Sequence, residues 1–291
     1  MVITASDVKV LRDKTGAGML LCKKALEEVN GDFEKAIEYL RKHGEMVAQK
    51  RADRVAREGK IYAKVIPGKA VLLEINCETD FVSRNSDFIQ FVQNIAQHLL
   101  GTKADNVEDL LEQNFFQNPR LKIKEVLAEL TGKIGENIQI RRFNLIYFSS
   151  PSAYISSYVH SNEKLGVLVK FSSPQPGLFV KSEFVTFAND MALQVTAAAP
   201  SFIERKDVPE TVLAQEKEIY RAQLTGQNKP EKVIENIVRG KLEKFYEDHC
   251  LVNQLFIKDD KKTVGQLLQN LQQTIMTEFK IEQFVRYVLG N

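Results

Sequence analysis

The sequence predicts an α+β protein in which a small helical bundle precedes two copies of one mixed unit. Three observations support this fold class. Helical periodicity with glycine stops dominates residues 1–44, the apolar period changes from position 59 onward and indicates strands, and one strand–helix pattern occurs twice. The chain has 291 residues, 44% of them hydrophobic, which is sufficient for several packed cores.

Residues 1–44 are predicted to form three short helices, of which the first two have clear boundaries. Ser6 is expected to cap the first helix, which stops at residues 15–16, Thr-Gly. The second helix begins near Gly18 and stops at residues 30–31, Asn-Gly.

The third helix is expected to begin at Asp32, which can cap it, and to end at Gly44. Residues 45–58 are rich in Lys, Arg and Ala. We interpret them as a charged helical linker, because charge runs are usually solvated faces.

The first mixed unit begins with a predicted β-hairpin. Residues 61–66 and 71–76 are its predicted strands, and residues 67–68, Pro-Gly, suit the turn between them. In the second strand Val71, Leu73 and Ile75 share one face. A helix with one apolar stripe follows, and Ser86 is expected to cap it. The strand over residues 138–148 is expected to complete a small antiparallel sheet.

This strand–helix pattern recurs in the second half of the chain without a gap. At one constant shift the matching pairs are Tyr62 and Tyr158, Val71 and Val167, and Phe88 and Phe184. The repeat is far longer than the units of solenoid proteins. The sequence therefore predicts two repeated α+β subdomains, and we expect residues 251–258 to contribute to the second sheet.

Residues 208–248 interrupt the second copy. A helical stretch opens at Pro209, residues 225–230 form a predicted turn, and a second helical stretch follows. Its apolar stripe is thin, which is typical of an antiparallel coiled coil rather than a core helix. We therefore predict four regions: a helical bundle with its linker at 1–55, the first core subdomain at 56–148, the second at 149–207 together with 249–291, and an inserted coiled-coil hairpin at 208–248.

Charge and composition exclude several classes of partner. Lysine plus arginine (40) nearly balances aspartate plus glutamate (38), so no footprint for DNA is expected. No apolar run approaches the roughly 18 residues of a membrane span, and the N-terminus resembles no signal or transit peptide. The three cysteines at wide spacing fit a reducing compartment, so we expect a cytoplasmic protein that contacts no membrane.

Motifs for catalysis or cofactor binding are not found in the sequence. It contains no G-x-x-x-x-G-K-[ST], no C-x-x-C, no H-E-x-x-H and no nucleophile elbow, and its four histidines are far apart. We therefore expect no enzyme activity, no cofactor, no metal site and no direct binding of nucleotide.

Leu20 is the first residue that points outward. On a helical projection, the apolar face of the second helix is formed by Leu21, Cys22, Ala25, Leu26 and Val29. Leu20 falls instead among the charged residues Lys23, Lys24 and Glu27. A single exposed leucine is ordinarily without meaning. Its position beside Met19, at a helix start, favours the alternative that it belongs to a small contact surface.

The second outward feature is the predicted loop over residues 77–85, between a strand and a helix. Functional residues concentrate in such loops. Phe81 belongs neither to the strand alternation nor to the helix stripe. It can fold back as a lid on the core or remain exposed, and the sequence does not decide between the two. If exposed, Phe81 and the adjacent Asp80 would suit a wedge that enters a partner's apolar pocket.

Several segments, in this order along the chain, together resemble the elongation factor Ts family. They are Leu11-Arg12, Thr15-Gly16-Ala17-Gly18-Met19, Cys22-Lys23-Lys24-Ala25-Leu26, Asn76-Cys77-Glu78-Thr79-Asp80-Phe81-Val82, Lys133-Ile134-Gly135-Glu136-Asn137-Ile138, Gly166-Val167-Leu168-Val169 and Lys262-Thr263-Val264-Gly265-Gln266-Leu267-Leu268. The matches span nearly the whole chain. Their combination is specific, although each alone would be weak.

The resemblance implies an architecture and a function. The N-terminal bundle would be of the ubiquitin-associated type, followed by two α+β subdomains with a coiled-coil hairpin inserted in the second. Members of the family bind the GTPase elongation factor Tu carrying GDP and act as guanine-nucleotide exchange factors, without covalent chemistry. Translation elongation is therefore the process that the resemblance implies.

The resemblance also implies roles for individual residues. On the N-terminal bundle, Arg12, Met19 and Leu20 would touch a helix of the GTPase domain, and Lys23 is placed in the same partner-binding group. The exchange wedge would be formed by Thr79, Asp80, Phe81 and Val82, with Asp80 and Phe81 near the magnesium and phosphate site of the partner. His160 would meet another domain of that partner.

This sequence departs from the family pattern at three places. One additional residue lies between His160 and Gly166, and residues 101–132 and 172–182 match nothing and receive no assignment. Many members continue into a further C-terminal module, which this sequence is expected to do without. The alternatives are a non-catalytic module that binds a ribosome-associated or ubiquitin-like partner, and an RNA-binding protein that uses residues 50–57 and the hairpin.

Overall fold

The computed structural model describes residues 3–149, 151–175, 177–224 and 230–291. It begins with three helices, α1 (Ala5–Thr15), α2 (Met19–Glu28) and α3 (Phe33–Arg51). They enclose a small core of their own, formed by Val8, Leu11, Ala17, Cys22, Ala25, Leu26 and Ala36. The predicted N-terminal three-helix bundle is confirmed.

The ends of these helices follow from local hydrogen bonding. Thr4, not Ser6, caps α1, because its hydroxyl accepts from the Asp7 N–H while the Asp7 carboxylate accepts from the Thr4 N–H at 2.9 Å. This reciprocal capping box satisfies two helix-end donors at once. Gly16 ends α1 in the left-handed region (φ 67°), and Asp32 caps α3 as predicted.

The first α+β subdomain contains the next nine elements. They are β1 (Glu58–Ile66), β2 (Lys69–Cys77), α4 (Asp80–Ser83), α5 (Ser86–Gly101), α6 (Val107–Glu112), β3 (Asn114–Phe115), β4 (Asn118–Lys122), α7 (Ile123–Ile134) and β5 (Gln139–Tyr147). The predicted hairpin is confirmed: β1 and β2 pair antiparallel from Glu58↔Cys77 to Ile66↔Lys69. Strand β5 completes the sheet in the order β1-β2-β5, as predicted.

Helix α5 covers this sheet with its apolar stripe. Phe88, Ile95 and Leu99 are fully buried in one core with Val71, Leu73 and Ile75 of β2. The helix cap is Asn85 rather than Ser86, because the Asn85 side chain accepts from the Asp87 N–H at 2.8 Å. The prediction of Ser86 was wrong by one residue, since both residue types favour this position.

The second copy contains β6 (Ala153–Val159), β7 (Leu165–Ser172), α8 (Ser182–Ala198), α9 (Glu210–Ala222), α10 (Glu231–His249), β8 (Leu255–Phe256), β9 (Asp259–Thr263), α11 (Val264–Ile275) and β10 (Lys280–Val288). Its sheet has the order β6-β7-β10, the same as in the first copy. The prediction that residues 251–258 join this sheet was wrong. Leu255 and Phe256 pair only with β9, and β10 provides the third strand.

The duplication extends beyond the part that the sequence revealed. Helix α7 corresponds to α11, and β5 to β10, with equal lengths and one constant shift. The short hairpin β3–β4 likewise corresponds to β8–β9, with the same pairing and the same bulge. This shift differs from that of the first strands because the second copy carries the inserted α9 and α10. The prediction of two repeated α+β subdomains is confirmed.

The inserted helices α9 and α10 pack on each other. Leu224, Val238 and Leu242 form a small buried cluster, with Leu213, Tyr220, Ile234 and Ile237 packed against it. At the base of the hairpin, Ser201 and Phe202 both donate their N–H groups to His249 O, at 2.9 and 3.0 Å. Most of the predicted turn at 225–230 lies outside the described residues.

The chain divides into two compact units. The first unit contains Met1–Ile146, Val159–Leu165 and Tyr287–Asn291, and the second unit contains Tyr147–Tyr158 and Gly166–Arg286. The four region boundaries given by the sequence stay predictions.

Gly44 does not end α3, contrary to prediction, and has a packing role instead. The helix continues for seven more residues, and Gly44 lies where α3 crosses α7. A Cβ added to Gly132 of α7 would lie 2.7 Å from the Gly44 Cα, and one added to Gly44 would lie 3.1 Å from the Ala128 O. Only residues without a side chain allow the two backbones to approach this closely.

Polar contacts flank this glycine crossing. Arg41 of α3 donates to Glu125 of α7 at 2.6 Å and lies 3.3 Å from Glu129. At the other end, the Lys133 side chain passes over Gly16, where a Cβ would lie 2.6 Å from its Nζ. Lys133 also forms an ion pair with Asp87 at 2.9 Å. The bundle therefore packs on α7 through a close backbone approach at the centre and through charged side chains at the edges.

A methyl group at the crossing should be costly. We expect Gly132→Ala to destabilise the fold by about 1–3 kcal/mol, because the backbones must separate. Gly240→Ala is the matched control: Gly240 lies inside α10 with no atom within 4 Å of an added Cβ, so helix propensity should stabilise it by up to about 1 kcal/mol. Urea denaturation measures both changes. A Gly132→Ala variant as stable as Gly240→Ala would contradict the close crossing.

Candidate functional site

The segment predicted as a loop over residues 77–85 contains the helical turn α4. Thr79 caps it: its hydroxyl accepts from the Val82 N–H at 3.4 Å and donates to Glu136 Oε1 at 2.7 Å. The Thr79 N–H also donates to Glu136 Oε2, at 3.0 Å. Both oxygens of one carboxylate thus hold Thr79, and this fixes the start of the turn.

The residues before Thr79 are held equally firmly. Glu78 accepts from the Asn137 N–H at 2.7 Å and pairs with Arg51 and Arg54, at 3.6 and 3.4 Å. The hydrogen bond from Asn137, together with the two arginines, holds the pKa of Glu78 below its ordinary value. The Cys77 thiol donates to Thr79 O at 3.1 Å, and burial raises its pKa to about 12. Cys77 is therefore a structural residue without thiolate character.

The side chains of α4 point in two directions. Val82 and Ser83 are buried, and Ser83 Oγ donates to Asp80 O at 2.8 Å. Phe81 is 83% exposed, which decides between the two alternatives: it does not cover the core. Asp80 is half-exposed and forms an ion pair with Arg84 at 3.2 Å. Of the four predicted wedge residues, Asp80 and Phe81 therefore face solvent, whereas Val82 anchors the turn and Thr79 caps it.

A second apolar surface lies at the start of α2. Leu20 is 85% exposed and Met19 is 45% exposed, whereas Cys22, Ala25 and Leu26 on the opposite face are fully buried. Lys23 is exposed and lies 3.7 Å from Glu27 on the same helix. The helical projection was therefore correct: Leu20 lies on the charged side and contributes nothing to the core of the bundle.

These two surfaces border one open groove within the first unit, which we call the Phe81 groove. Its volume is about 480 Å³, and its lining consists of Arg12, Gly16, Ala17, Gly18, Met19, Phe81, Val82, Asn85, Asp87, Lys133 and Ile134. The structure thus brings together four predicted site residues that are far apart in sequence: Arg12, Met19, Phe81 and Val82. Leu20 and Asp80 adjoin these residues in the chain without lining the groove.

His160 does not line the Phe81 groove. It is exposed and lies between β6 and β7, where its N–H donates to Leu165 O at 2.9 Å and its O accepts from the Glu163 N–H at 2.7 Å. Glu163 takes a left-handed conformation (φ 56°) in the same turn. The predicted role of His160 stays a prediction.

Sequence reasoning missed the residues that hold this site in place. Glu136 and Asn137 bind the segment before α4, and Lys133 connects the bundle to Asp87. The run Lys133-Ile134-Gly135-Glu136-Asn137 was recognised as a motif but given no role. The only available signal was the density of polar residues around a glycine that ends a helix.

Two classes of site are not found in the described part of the chain. Among residues 3–149, 151–175, 177–224 and 230–291, no three His, Cys, Asp or Glu side chains are grouped so that they could hold a metal ion. No helix within these ranges is both long enough and apolar enough to cross a bilayer.

Comparisons with known proteins agree with the resemblance noted in the sequence. The family described as "Elongation factor TS" matches residues 78–291. Proteins named elongation factor Ts are similar over almost the entire chain. The relative from Trichlorobacter lovleyi is 43% identical, covering 100% of this chain and 93% of its own length. That from Chloroherpeton thalassium is 42% identical, covering 99% and 98%, and that from Chlorobium phaeobacteroides is 40% identical, covering 99% of both chains.

The contribution of the Thr79 cap to stability should be measurable on its own. We expect Thr79→Val to lose about 1 kcal/mol of stability, because the hydroxyl bridges Val82 and Glu136. Amide hydrogen exchange at Val82, Ser83 and Arg84 should accelerate more than exchange in β2. Thr79→Ser retains the hydroxyl and is the control. If Thr79→Val and Thr79→Ser exchange at the same rate, the cap does not hold the turn.

Proposed function

The chain belongs to the elongation factor Ts family, and we propose that it is a guanine-nucleotide exchange factor that binds elongation factor Tu carrying GDP and accelerates GDP release. Family membership assigns the chain to translation elongation. The partner and the exchange step are the proposal.

The observation that carries the proposal is the presentation of Phe81. A phenylalanine with 83% of its surface exposed is unfavourable in isolation, and the surrounding hydrogen bonds act to keep it in place rather than to bury it. A ring carried on backbone that is fixed in this way can enter a partner's apolar pocket with little loss of backbone freedom on binding. This rigidity is what a wedge requires.

Docking is the role that we assign to the N-terminal bundle. Met19 and Leu20 offer apolar surface, and Arg12 lines the Phe81 groove together with Met19. Such a combination suits an amphipathic helix of the partner, whose apolar residues would meet Met19 and Leu20 while an acidic residue meets Arg12. The glycine crossing of α3 and α7 fixes the distance between this surface and Phe81.

Exchange requires more than docking. A factor shifts an equilibrium only by its differential affinity for the two states of its partner, here the nucleotide-bound and nucleotide-free forms. By linkage, the factor weakens GDP binding by the same ratio as GDP weakens binding of the factor. Each tenfold of this antagonism corresponds to about 1.4 kcal/mol. We assign the differential contacts to Phe81 and Asp80, and the state-independent contacts to the bundle.

Asp80 has a partner within the chain that bears on this mechanism. Its carboxylate lies 3.2 Å from Arg84, and both side chains are substantially exposed. Such an exposed pair contributes little to stability and is readily exchanged. We infer that Asp80 can leave Arg84 and compete for the hydrogen bonds or the magnesium ligands of the partner, while Arg84 becomes available to a phosphate or an acidic side chain.

Two other functions receive less support. An RNA-binding role for residues 50–57 is weakened because Arg51 and Arg54 are both directed at Glu78. A binding module for a different ribosome-associated or ubiquitin-like partner would need the bundle but not the exposed Phe81. Copurification distinguishes this binding module from an exchange factor, because recovery of elongation factor Tu in near-equal amount is expected only from the exchange factor.

Leu20 should contribute to docking affinity. We expect Leu20→Ala to weaken binding to elongation factor Tu by roughly 1–2 kcal/mol, as expected for an apolar anchor that becomes buried in the interface. Val10→Ala is the matched control, because Val10 is also an exposed apolar residue of the bundle, but unlike Leu20 it has no neighbour in the chain that lines the Phe81 groove. Calorimetry measures both affinities. Equal affinities for the two variants would leave Leu20 as an ordinary surface residue.

Asp80 and Phe81 should determine the rate of exchange. We expect the double variant Asp80→Ala, Phe81→Ala to slow GDP release strongly at saturating concentration, while retaining much of the docking affinity. Stopped-flow release of a fluorescent GDP from elongation factor Tu measures this rate, and saturation separates weak binding from weak exchange. Phe116→Ala, which removes another exposed aromatic ring of the same unit, is the control. A double variant as fast as wild type at saturation would refute the wedge mechanism.

A further inference from the structure

A second cavity lies within the first unit, between the helical bundle and the β3–β4 hairpin with α7. Its volume is about 400 Å³, at the lower end of the roughly 300–1,000 Å³ found for small-molecule sites. We call it the bundle cavity. Neither Phe81 nor Leu20 lines it, so the proposed exchange mechanism makes no use of its interior.

The walls of the bundle cavity are apolar on both sides. Leu21, Ile37 and Leu40 contribute from the bundle, and Leu121 faces them from β4. The first three pack against the bundle core but remain partly exposed towards the cavity. Apolar surface in a concave site of this size gains free energy when an apolar group displaces water from it.

The polar lining of the bundle cavity is predominantly cationic. Arg41 and Lys133 are already paired with carboxylates. Lys14 and Arg120 also line the cavity, and neither forms an ion pair with any other described residue. Both are exposed, so their charges lie where the cavity opens to solvent. The cavity thus combines an apolar interior with two available cations.

Two polar groups of the lining add to this pattern. Nδ1 of His43, which also lines the cavity, is buried without a hydrogen-bond partner. In the tautomer that carries its proton on this nitrogen, it can donate to a ligand oxygen. The Glu129 carboxylate of the lining lies 3.3 Å from Arg41, so its charge is already balanced. A free N–H donor and a balanced carboxylate favour an anion over a cation.

We propose that the bundle cavity binds a small amphipathic carboxylate, with its apolar chain between Leu40 and Leu121 and its carboxylate at Arg120 and Lys14. Such a ligand touches the bundle and the core at once. It therefore stabilises their docked arrangement by mass action, in addition to the glycine crossing. The proposal does not depend on the exchange function.

Calorimetry on the full chain with three probes tests the chemistry. Decanoate carries both features, decan-1-ol carries the chain alone and acetate carries the charge alone. We expect one saturable site for decanoate, at least tenfold weaker binding of decan-1-ol and none of acetate. Absence of saturable decanoate binding overturns the proposal, and so does equal binding of decanoate and decan-1-ol.

Two charge variants locate the anion. We expect Arg120→Met to weaken decanoate binding about tenfold, since a charge-assisted contact is lost. Lys9→Met is the matched control: it also removes one exposed charge from the first unit, but Lys9 is not part of the cavity lining. Equal affinities of these two variants for decanoate would overturn the assignment of the carboxylate to Arg120.

The chain contains no tryptophan, which provides a direct reporter of the position of the ligand. Asn118→Trp places a single fluorophore on the lining of the bundle cavity, and Val55→Trp places one at an exposed position outside it. Decanoate should shift the emission of the first variant and not of the second. A shift only in the second, or in both alike, would show that decanoate binds elsewhere.

Discussion

The close crossing of α3 and α7 is the constraint on which the candidate site depends. Two glycines, Gly44 and Gly132, allow the backbones to meet at a distance that no other residue pair permits. Because the crossing is made by backbone rather than by side chains that can change rotamer, its geometry has little freedom. The bundle is therefore held in one position on α7, and the Phe81 groove exists because of that position.

A second set of contacts makes the other side of the groove equally rigid. Glu136 and Asn137 follow α7 directly, and they bind the segment that carries Phe81. Helix α7 thus supports the bundle through its middle, and the residues directly after it hold the α4 turn. The exposed apolar side chains at the two edges of the groove are therefore carried by backbone that packing and hydrogen bonds fix. This arrangement places contact residues from two distant parts of the sequence on one scaffold.

The sequence predicted the elements whose signals are local. The common face of Val71, Leu73 and Ile75 in β2, the stripe of α5 and the stop at Gly16 are properties of neighbouring residues, and the structure agrees with them. The errors concern residues whose role depends on distant partners. Gly44 was interpreted as a helix end because the sequence cannot show α7 opposite it. The third strand of the second sheet was missed because the insertion changes the repeat shift after α8.

The residues of the candidate site likewise divide into those that the local sequence could place and those that it could not. The outward position of Leu20 followed from its angle on a helix, since the apolar face was already complete without it. Phe81 could not be placed, because a lid and a wedge have the same local sequence and differ only in what surrounds them. Glu136 received no role for the same reason: its carboxylate acts on Thr79, far away in the chain. The family resemblance identified both segments but not the contacts between them.

The two ends of the inserted hairpin lie close together, and this affects which insertions and deletions the fold can accept. The N–H groups of Ser201 and Phe202 bind His249 O, so the inserted helices begin and end at almost the same point. These helices carry an apolar cluster of their own around Val238 and Leu242. An insertion with adjoining ends and its own apolar cluster can be lengthened, shortened or exchanged for another module without redirecting the surrounding strands. The hairpin is thus the part of this architecture that is most open to diversification.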